Sequence, residues 1–331
     1  MRDPLEVTIT VNTAFSPGKS IFDEKGFKPV GKRSILGEVE GVGHGLDFIL
    51  NTFENHNIKS SFFVDAAQHC YFGHEPMQEI VDKIKKAGQD TQLLVHPFWY
   101  YFDEGGEFPR DDSLADRSVD ELKQIISKSV VEFEKLTGKK PSAFRSANGA
   151  VDPNLYKALS ELEIGISSSV AIEKFIPYGK KFLLNGGRHK FEDVTEIPHF
   201  TYQDMDNMGG YPKKTLQIAT CSWREMRSIL KKAYQGGMPQ IVVLMEPSDF
   251  IKKKDHQFLE ITRNRVNQQR LIKLCEFINE NSDEYVAVDF ESNAERWQQT
   301  QLKNIDRFRI PTRYRNFRKI ENMLNRLFWN Y

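Results

Sequence analysis

The chain has 331 residues, of which 12% are aromatic, and this length allows a soluble protein to bury a large core. Its 46 basic and 46 acidic side chains cancel, so no global charge favours nucleic acid as a partner. The three cysteines, Cys70, Cys221 and Cys275, are far apart and form no Cys-x-x-Cys pair. This spacing argues against a disulfide framework and against a structural zinc site.

The first residues lead directly into a predicted strand, without the apolar segment of a signal peptide. No run of about 18 apolar residues occurs in the sequence, so no membrane-spanning helix is predicted. Unpaired cysteines are typical of a reducing compartment. We therefore expect a cytoplasmic protein.

Buried strand patterns alternate with amphipathic helix patterns along the chain. The strands are predicted at residues 7–11, 60–64, 91–95, 142–144, 166–170, 241–245 and 285–288. The helices are predicted at residues 45–55, 77–88, 118–136 and 263–281, with two more that begin at residues 152 and 222. Residues 175–215 break this alternation and predict a hairpin insertion that ends near Glu196. Strands separated by helices at this spacing favour a parallel barrel or a doubly wound sheet.

Two helices begin with the pattern of a capping box, in which a serine and a glutamate three residues later each satisfy a backbone amide. Ser118 and Glu121 form the first pair, directly after an acidic loop at residues 103–117. Ser222 and Glu225 form the second pair. These signals separate each helix from the segment before it.

Polar or ionisable side chains stand at nearly every carboxyl end of the predicted strands. They are Asn12, Asp65, His96, Arg145, Ser169, Glu246 and Asp289. In a parallel α/β barrel this rim carries the binding and catalytic groups. His96 is the most informative of them, because Pro97 ends the buried strand 91–95 directly after it. Taken alone, His96 fits equally well as a residue that only hydrogen-bonds a neighbouring loop.

Four ordered blocks of the sequence resemble the polysaccharide deacetylases, the NodB-homology or type 4 carbohydrate esterase family. The blocks are residues 8–16 (TITVNTAFS), 60–64 (SSFFV), 90–97 (DTQLLVHP) and 143–149 (AFRSANG). The resemblance covers residues 7–288. It implies a distorted (β/α)7 barrel and a metal-dependent hydrolysis of the C–N bond in N-acetylated sugars at the rim. We divide the chain into a barrel domain at residues 1–300 and a basic helical extension at residues 301–331.

The positions that the resemblance marks as catalytic are mostly substituted. Asn12 stands where the family has its general base, and a carboxamide does not accept a proton from a metal-bound water at neutral pH. Glu246 stands where the family has a histidine that acts as general acid. Arg145, which orients the base in the family, is retained, and Asp65 is a further carboxylate at the rim.

The metal positions implied by the resemblance are also substituted. Ala14 replaces a carboxylate ligand, and Leu94 replaces the first of two histidines. Only His96 remains, whereas a catalytic zinc normally has three protein ligands. We therefore expect no tight zinc binding and no other cofactor.

Three functions stay open from the sequence. The first is a protein with a degenerate site that binds N-acetylated glycan in cell-surface polysaccharide metabolism, of the O-antigen or capsule type. The second is an active carbohydrate amide or ester hydrolase with a rearranged site, in which Glu246 acts with His96 or Asp65. The third is a structural or partner-binding barrel.

Several residues near the rim are candidates for substrate contacts. Trp99 and Tyr100 form a stacking platform for a sugar ring in one interpretation, and pack a loop against the barrel in an equally weighted one. Asn148 and His96 are the polar candidates for sugar contacts. Arg145 is expected to pair with a carboxylate, either Asp65 or Glu246.

The carboxyl-terminal segment differs in charge from the rest of the chain. Residues 302–331 contain eight basic and two acidic side chains, a net charge of +6, so residues 1–301 carry −6. Apolar residues recur there at helical spacing and predict a basic amphipathic helix: Phe317, Ile320, Met323, Leu324, Leu327 and Phe328. The helix either packs on the barrel or docks to a partner enzyme or to the anionic inner face of the membrane.

Overall fold

The computed structural model describes residues 2–20, 27–102, 112–204, 210, 212–305 and 308–327. The main sheet consists of β1 (Leu5–Thr13), β4 (Ser61–Asp65), β5 (Asp90–Val95), β6 (Ala143–Ser146), β7 (Ile166–Ser167), β8 (His189–Phe191), β9 (Val194–Glu196), β12 (Gln240–Met245) and β15 (Tyr285–Ala287). Three short hairpins pair β2 (Glu38–Val39) with β3 (Val42–Gly43), β10 (Thr201–Gln203) with β11 (Lys213–Thr215), and β13 (Ile251–Lys253) with β14 (Ile261–Arg263).

Helices connect these strands, and most of them cover the outer face of the sheet. They are α1 (Arg33–Leu36), α2 (Leu46–Asn55), α3 (His69–Phe72), α4 (Glu75–Lys86), α5 (Val119–Thr137), α6 (Pro153–Glu161), α7 (Trp223–Gln235), α8 (Arg265–Glu280), α9 (Ala294–Gln298) and α10 (Thr312–Leu327). Of these described helices, none combines the length and the apolar character that crossing a bilayer requires.

The strand order is β12-β1-β4-β5-β6-β7-β9-β8, and β15 pairs with the first residues of β1. All of these pairs are parallel except the β8–β9 hairpin. At the far edge, the Leu216 amide donates to the Phe200 carbonyl (2.8 Å), and the Leu244 amide in β12 donates to the Leu216 carbonyl (3.0 Å). This is the parallel α/β architecture expected for a deacetylase-type barrel, although the main sheet does not close on itself among the described residues.

Alternation along the strands divides the core into two layers. Phe62, Val64, Leu93 and Val95 point outward and pack with the covering helices. The alternate residues of the strands point inward and fill the centre. The segment at residues 290–297 closes this inner layer at the amino-terminal end of the strands. The inner layer includes Phe63, Leu94, Ala143, Ile166, Ile197, Val242, Phe290 and Trp297. The same inward face carries Asn12 and Arg145 to the carboxyl ends of the strands.

The predicted capping serines lie at helix starts. Ser222 accepts from the Glu225 amide, and the Glu225 carboxylate accepts from the Ser222 amide, which completes the capping box of α7. Ser118 accepts from the Glu121 amide at the start of α5, but the Glu121 carboxylate accepts from Arg117, so the structure shows only half of the predicted capping box there; Gly138 ends that helix with a left-handed φ of 79°. These local rules define both helices independently of the packing around them.

Two predicted assignments differ from the structure. The segment that ends near Glu196 is not an insertion, because β9 joins the main sheet through parallel pairing with β7. Asp289 does not lie at the rim, because β15 pairs only with the amino-terminal end of β1. Its charge acts on Asp90, the first residue of β5, at the opposite end of the sheet from His96.

Candidate functional site

The carboxyl ends of five strands bring together most of the predicted rim residues. Asn12 belongs to β1, and Asp65 is the last residue of β4. His96 directly follows β5, Arg145 lies in β6, and Glu246 directly follows β12. Since these strands are neighbours and parallel, their side chains face one mouth of the sheet.

Arg145 lies at the centre of this mouth and is fully buried. Its Nη1 donates to Asn12 Oδ1 (2.8 Å), and its Nε and Nη2 donate to the carbonyl and hydroxyl oxygens of Ser168 (2.8 and 2.9 Å). The guanidinium also lies 3.7 Å from the centre of the Phe63 ring. The predicted pairing with Asp65 or Glu246 is therefore wrong: the partners are a neutral amide and a serine.

This environment weakens the proton affinity of the guanidinium. Burial lowers the pKa of Arg145 to about 9, and the charge of Glu196 opposes that change only in part. The Glu196 carboxylate accepts from the Ser169 and Val170 amides (2.9 and 2.8 Å), so its effect on Arg145 is through charge. Ser169 is thereby part of the support of the strands rather than an exposed rim group.

His96 forms a charged pair with a loop residue. Its Nδ1 lies 2.7 Å from Asp112 Oδ2, and the Asn148 side-chain amide donates to the same oxygen (2.8 Å). Burial opposes the charge on His96, but the charge and hydrogen bond of Asp112, with Asp65 and Glu246 behind it, raise the pKa of His96 to about 9. At neutral pH the imidazole is therefore a cation and a donor.

Asp65 is completely buried beneath the rim. Its Oδ2 accepts from Trp99 Nε1 (2.9 Å), and its Oδ1 accepts from the Ala67 amide (3.1 Å). Burial raises the pKa of Asp65 to about 6, while the charge of His96 holds it lower than burial alone would. Asp65 thus changes its charge state close to neutral pH.

Glu246 lies beside a second carboxylate. The Glu246 amide donates to Asp249 Oδ2 (2.9 Å), within a capping box that opens the short turn after β12. Burial and the neighbouring charge of Glu246 raise the pKa of Asp249. A carboxyl group with a raised pKa next to a second carboxylate is a common arrangement for proton transfer.

Sequence comparison does not place the chain: no family model matches it, and no curated protein does either. Comparison of structures identifies its fold. A protein from Mycobacterium smegmatis that is assigned to the polysaccharide deacetylases superposes with a TM-score of 0.52 at 12% identity, and the match covers 94% of this chain and 96% of that one. The chain has the polysaccharide deacetylase fold.

Two other solved structures match over much of their length. The wild-type BA3943 protein of Bacillus anthracis, a pseudoenzyme of carbohydrate esterase family 4, superposes with a TM-score of 0.46 at 12% identity, over 89% of this chain and 66% of that one. A family 4 acetyl xylan esterase from Clostridium thermocellum superposes with a TM-score of 0.42 at 11% identity, over 86% and 88%.

Within this deacetylase fold, the residues at the expected metal positions do not fit a catalytic zinc. Ala14 offers no ligand atom, and Leu94 is buried in the inner apolar layer. Nδ1 of His96 is already engaged by Asp112. In the part of the chain that the structure describes, no group of three His, Cys, Asp or Glu side chains is arranged to hold a metal ion.

The two aromatic residues predicted to form a sugar platform are not exposed at the rim. Trp99 is 1% exposed and packs against Phe98, Tyr71 and Phe72, with its indole nitrogen on Asp65. Tyr100 is partly buried, and its hydroxyl is 3.0 Å from Ser129 in α5. The interpretation that these rings pack a loop against the barrel agrees with this geometry.

Sequence reasoning missed two acidic residues of the site. Asp112 lies in the acidic loop at residues 103–117, of which residues 103–111 are outside the described residues, and nothing in a loop pattern marks one carboxylate over its neighbours. Asp249 had a usable signal, because it stands three residues after the strand-ending Glu246 in the spacing of a capping box.

Proposed function

We propose that this protein binds N-acetylated glycan at the rim of its deacetylase fold and acts in cell-surface polysaccharide metabolism, of the O-antigen or capsule type. In this proposal the site is degenerate, and binding needs no metal. The observation that carries it is the contact between Arg145 and Asn12, because the residue at the position of the base is an amide that already accepts a hydrogen bond.

The polar groups at the mouth suit a sugar. The exposed amide of Asn148 and the half-buried imidazolium of His96 are donors, and Glu246 is a half-buried acceptor at the same end of the sheet. Sugar hydroxyls and N-acetyl groups are recognised by convergent donors and acceptors of this kind, held on a rigid scaffold. The fold supports the choice of a glycan, since it is the fold of a protein assigned to the polysaccharide deacetylases.

Calorimetric titration with oligomers of N-acetylglucosamine tests this proposal. The wild-type protein should bind, and His96→Gln should bind about tenfold more weakly, because one charge-assisted hydrogen bond is lost. His56→Gln, at the end of α2, is the matched control and should bind as the wild type does. Absence of binding by the wild type, or equal binding by His96→Gln, would contradict the proposal.

A second candidate function is a hydrolase that works without metal. It is favoured by the three titratable groups that share the rim: Asp65 and Asp249 have raised pKa values, and His96 is held as a cation. In this candidate Glu246 accepts the proton of an attacking water, and the His96 imidazolium donates a proton to the departing amine or alcohol.

Release of acetate separates the two candidates. If the second is right, the wild type releases acetate from the same oligomers, and Glu246→Gln loses this activity while it still binds them. If the first is right, the wild type binds the oligomers and no acetate forms. Glu291→Gln is the matched control, because Glu291 lies at the opposite end of the sheet near Asp90.

The proposal places the protein in the cytoplasm. The three cysteines are free in the structure, and Cys70 is exposed, which suits a reducing compartment. A membrane-impermeant maleimide should therefore label Cys70 in lysed cells and not in intact cells.

A further inference from the structure

Helix α10 packs on the body of the protein through its polar side. Arg318 is buried and pairs with both Asp204 and Glu225. Arg270 of α8 donates to Glu321 (2.5 Å) and to Asn322 (2.7 Å). An amphipathic helix normally buries its apolar stripe against the core, so this orientation is the reverse of the usual one.

The apolar side of α10 therefore faces outward. Phe317, Ile320, Met323 and Leu327 are 46%, 53%, 54% and 68% exposed, and Leu324 is exposed beside them. These residues follow each other at spacings of three and four, so they form one stripe along the helix. A contiguous apolar stripe of this size on a soluble surface indicates a binding face.

Cationic side chains border this stripe. Lys319 and Arg326 lie on α10 itself, and Arg224 of α7 covers the Phe317 ring at 4.4 Å. A cleft of about 460 Å³ lies beside the stripe, and its lining includes the apolar Trp223, Val266 and Leu324 and the basic Arg265 and Lys273. The face combines exposed apolar side chains with a basic border.

We infer that this face of α10 docks on an anionic phospholipid bilayer. The apolar stripe would enter the boundary between headgroups and acyl chains, and the basic border would contact the phosphates, as in other interfacial amphipathic helices. The arginines that hold α10 to the protein, Arg318 and Arg270, play no part in the lipid contact because they are buried.

The basic border favours a bilayer over a second copy of the chain. A twofold dimer through the stripe would place each border against its own copy, so that Lys319, Arg326 and Arg224 of both chains would approach one another. Like charges brought together at an interface oppose association. An anionic surface removes that repulsion and neutralises the same groups.

Co-sedimentation of the full-length protein with vesicles tests the inference. Binding should be strong to phosphatidylcholine vesicles that contain phosphatidylglycerol, weak to pure phosphatidylcholine, and reduced by salt. The double substitution Ile320→Gln/Leu327→Gln should lower the partition coefficient at least about tenfold, because both side chains lose apolar burial. The matched control is Ile176→Gln/Leu259→Gln, which changes residues that are 74% and 75% exposed elsewhere on the surface.

A second pair of variants tests the charge. Lys319→Gln/Arg326→Gln should lower binding to the anionic vesicles, and Lys157→Gln/Arg33→Gln, also at exposed positions, should not.

Circular dichroism and thermal melting should show that all four variants fold as the wild type does, since no buried residue is changed. The inference is overturned if the wild type shows no preference for anionic vesicles or if the apolar variant binds equally well. It is also overturned if the lipid-free wild type is a dimer that Ile320→Gln/Leu327→Gln dissociates.

Discussion

At the scale of single residues, the charge of His96 depends on Asp112. Burial lowers the pKa of this imidazole, and the carboxylate 2.7 Å from Nδ1 more than reverses the effect. Asn148 donates to the same carboxylate oxygen and holds it in place. The pair therefore links the loop at 112 to the rim through one charged hydrogen bond.

Substitution of Asp112 tests this dependence. In Asp112→Asn the pKa of His96 should fall from about 9 by about one to two pH units, because the nearest opposite charge is removed. The measurement is an NMR titration of the His96 ring. Asp283→Asn, at an exposed position, should leave the titration unchanged. An unaltered His96 titration in Asp112→Asn would show that the charge is set elsewhere.

Trp99 supports the ionised form of Asp65. The indole donates to a carboxylate that has no exposure to water, so loss of that donor should matter most when Asp65 is charged. Trp99→Phe should destabilise the protein by about 2 kcal/mol more at pH 8 than at pH 5, since the pKa of Asp65 is about 6. The packing that is lost because a phenyl ring is smaller than an indole ring should cost the same at both pH values.

Urea unfolding at the two pH values measures this difference. Trp223→Phe, at a half-buried position in α7, is the matched control and should destabilise equally at both. A loss that is the same at pH 5 and pH 8 in Trp99→Phe would mean that the indole contributes packing alone.

At the scale of elements, α10 is fixed by buried ion pairs. Arg318 contacts Asp204 and Glu225, and Glu225 also completes the capping box of α7 and accepts from the Tyr202 hydroxyl (2.8 Å). One glutamate therefore joins two helices and a strand. Removal of the arginine leaves two carboxylates in a site that is largely closed to water.

We expect Arg318→Met to destabilise the protein by about 3 to 5 kcal/mol, because a buried ion pair is broken from one side. Amide hydrogen exchange should then become faster along α10 and at the start of α7. Arg326→Met, on the exposed side of the same helix, should change the stability by less than about 0.5 kcal/mol. Equal stability of the two variants would contradict this account of how α10 is attached.

The elements that could be predicted from sequence are those with a local physical signal. The cap residues Ser118 and Ser222 mark helix starts wherever the helix packs. By contrast, β9 has three residues, which is too short for a period of two to be recognised. The outward stripe of α10 was not predictable either, because spacing identifies a stripe but not the side on which the protein lies.

At the scale of the whole molecule, the order of the strands decides which predicted site residues meet. Arg145 on β6 contacts Asn12 on β1, and His96 follows β5 at the same end of the sheet. Asp289 had the same local pattern and lies at the other end of the sheet, because strand register depends on long-range pairing. Asp112 comes from a loop, whose path depends on tertiary contacts alone.

Several groups of the rim together predict how stability depends on pH. The folded protein holds a proton on His96 up to about pH 9, whereas an unfolded histidine loses it near pH 6.5. A raised folded pKa gives stability that is complete below the unfolded pKa and is lost as the pH rises through the folded value. The raised pKa of Asp249 acts in the same direction.

The buried His199 acts in the opposite direction, but only at lower pH. Burial, with the charges of Arg145 and Lys174, lowers its pKa well below 6.5, so its effect appears as the pH falls below that value. Between pH 6.5 and 9 the raised pKa values of His96 and Asp249 act together, and the lowered pKa of Arg145 opposes them only near pH 9, so the free energy of unfolding should fall by up to about 3 kcal/mol. Urea unfolding of the wild type across this range should show a steady decline. His96→Gln should make the curve flatter, and His56→Gln should not. A stability that stays level or rises from pH 6.5 to 9 would mean that His96 does not keep its proton in the folded state.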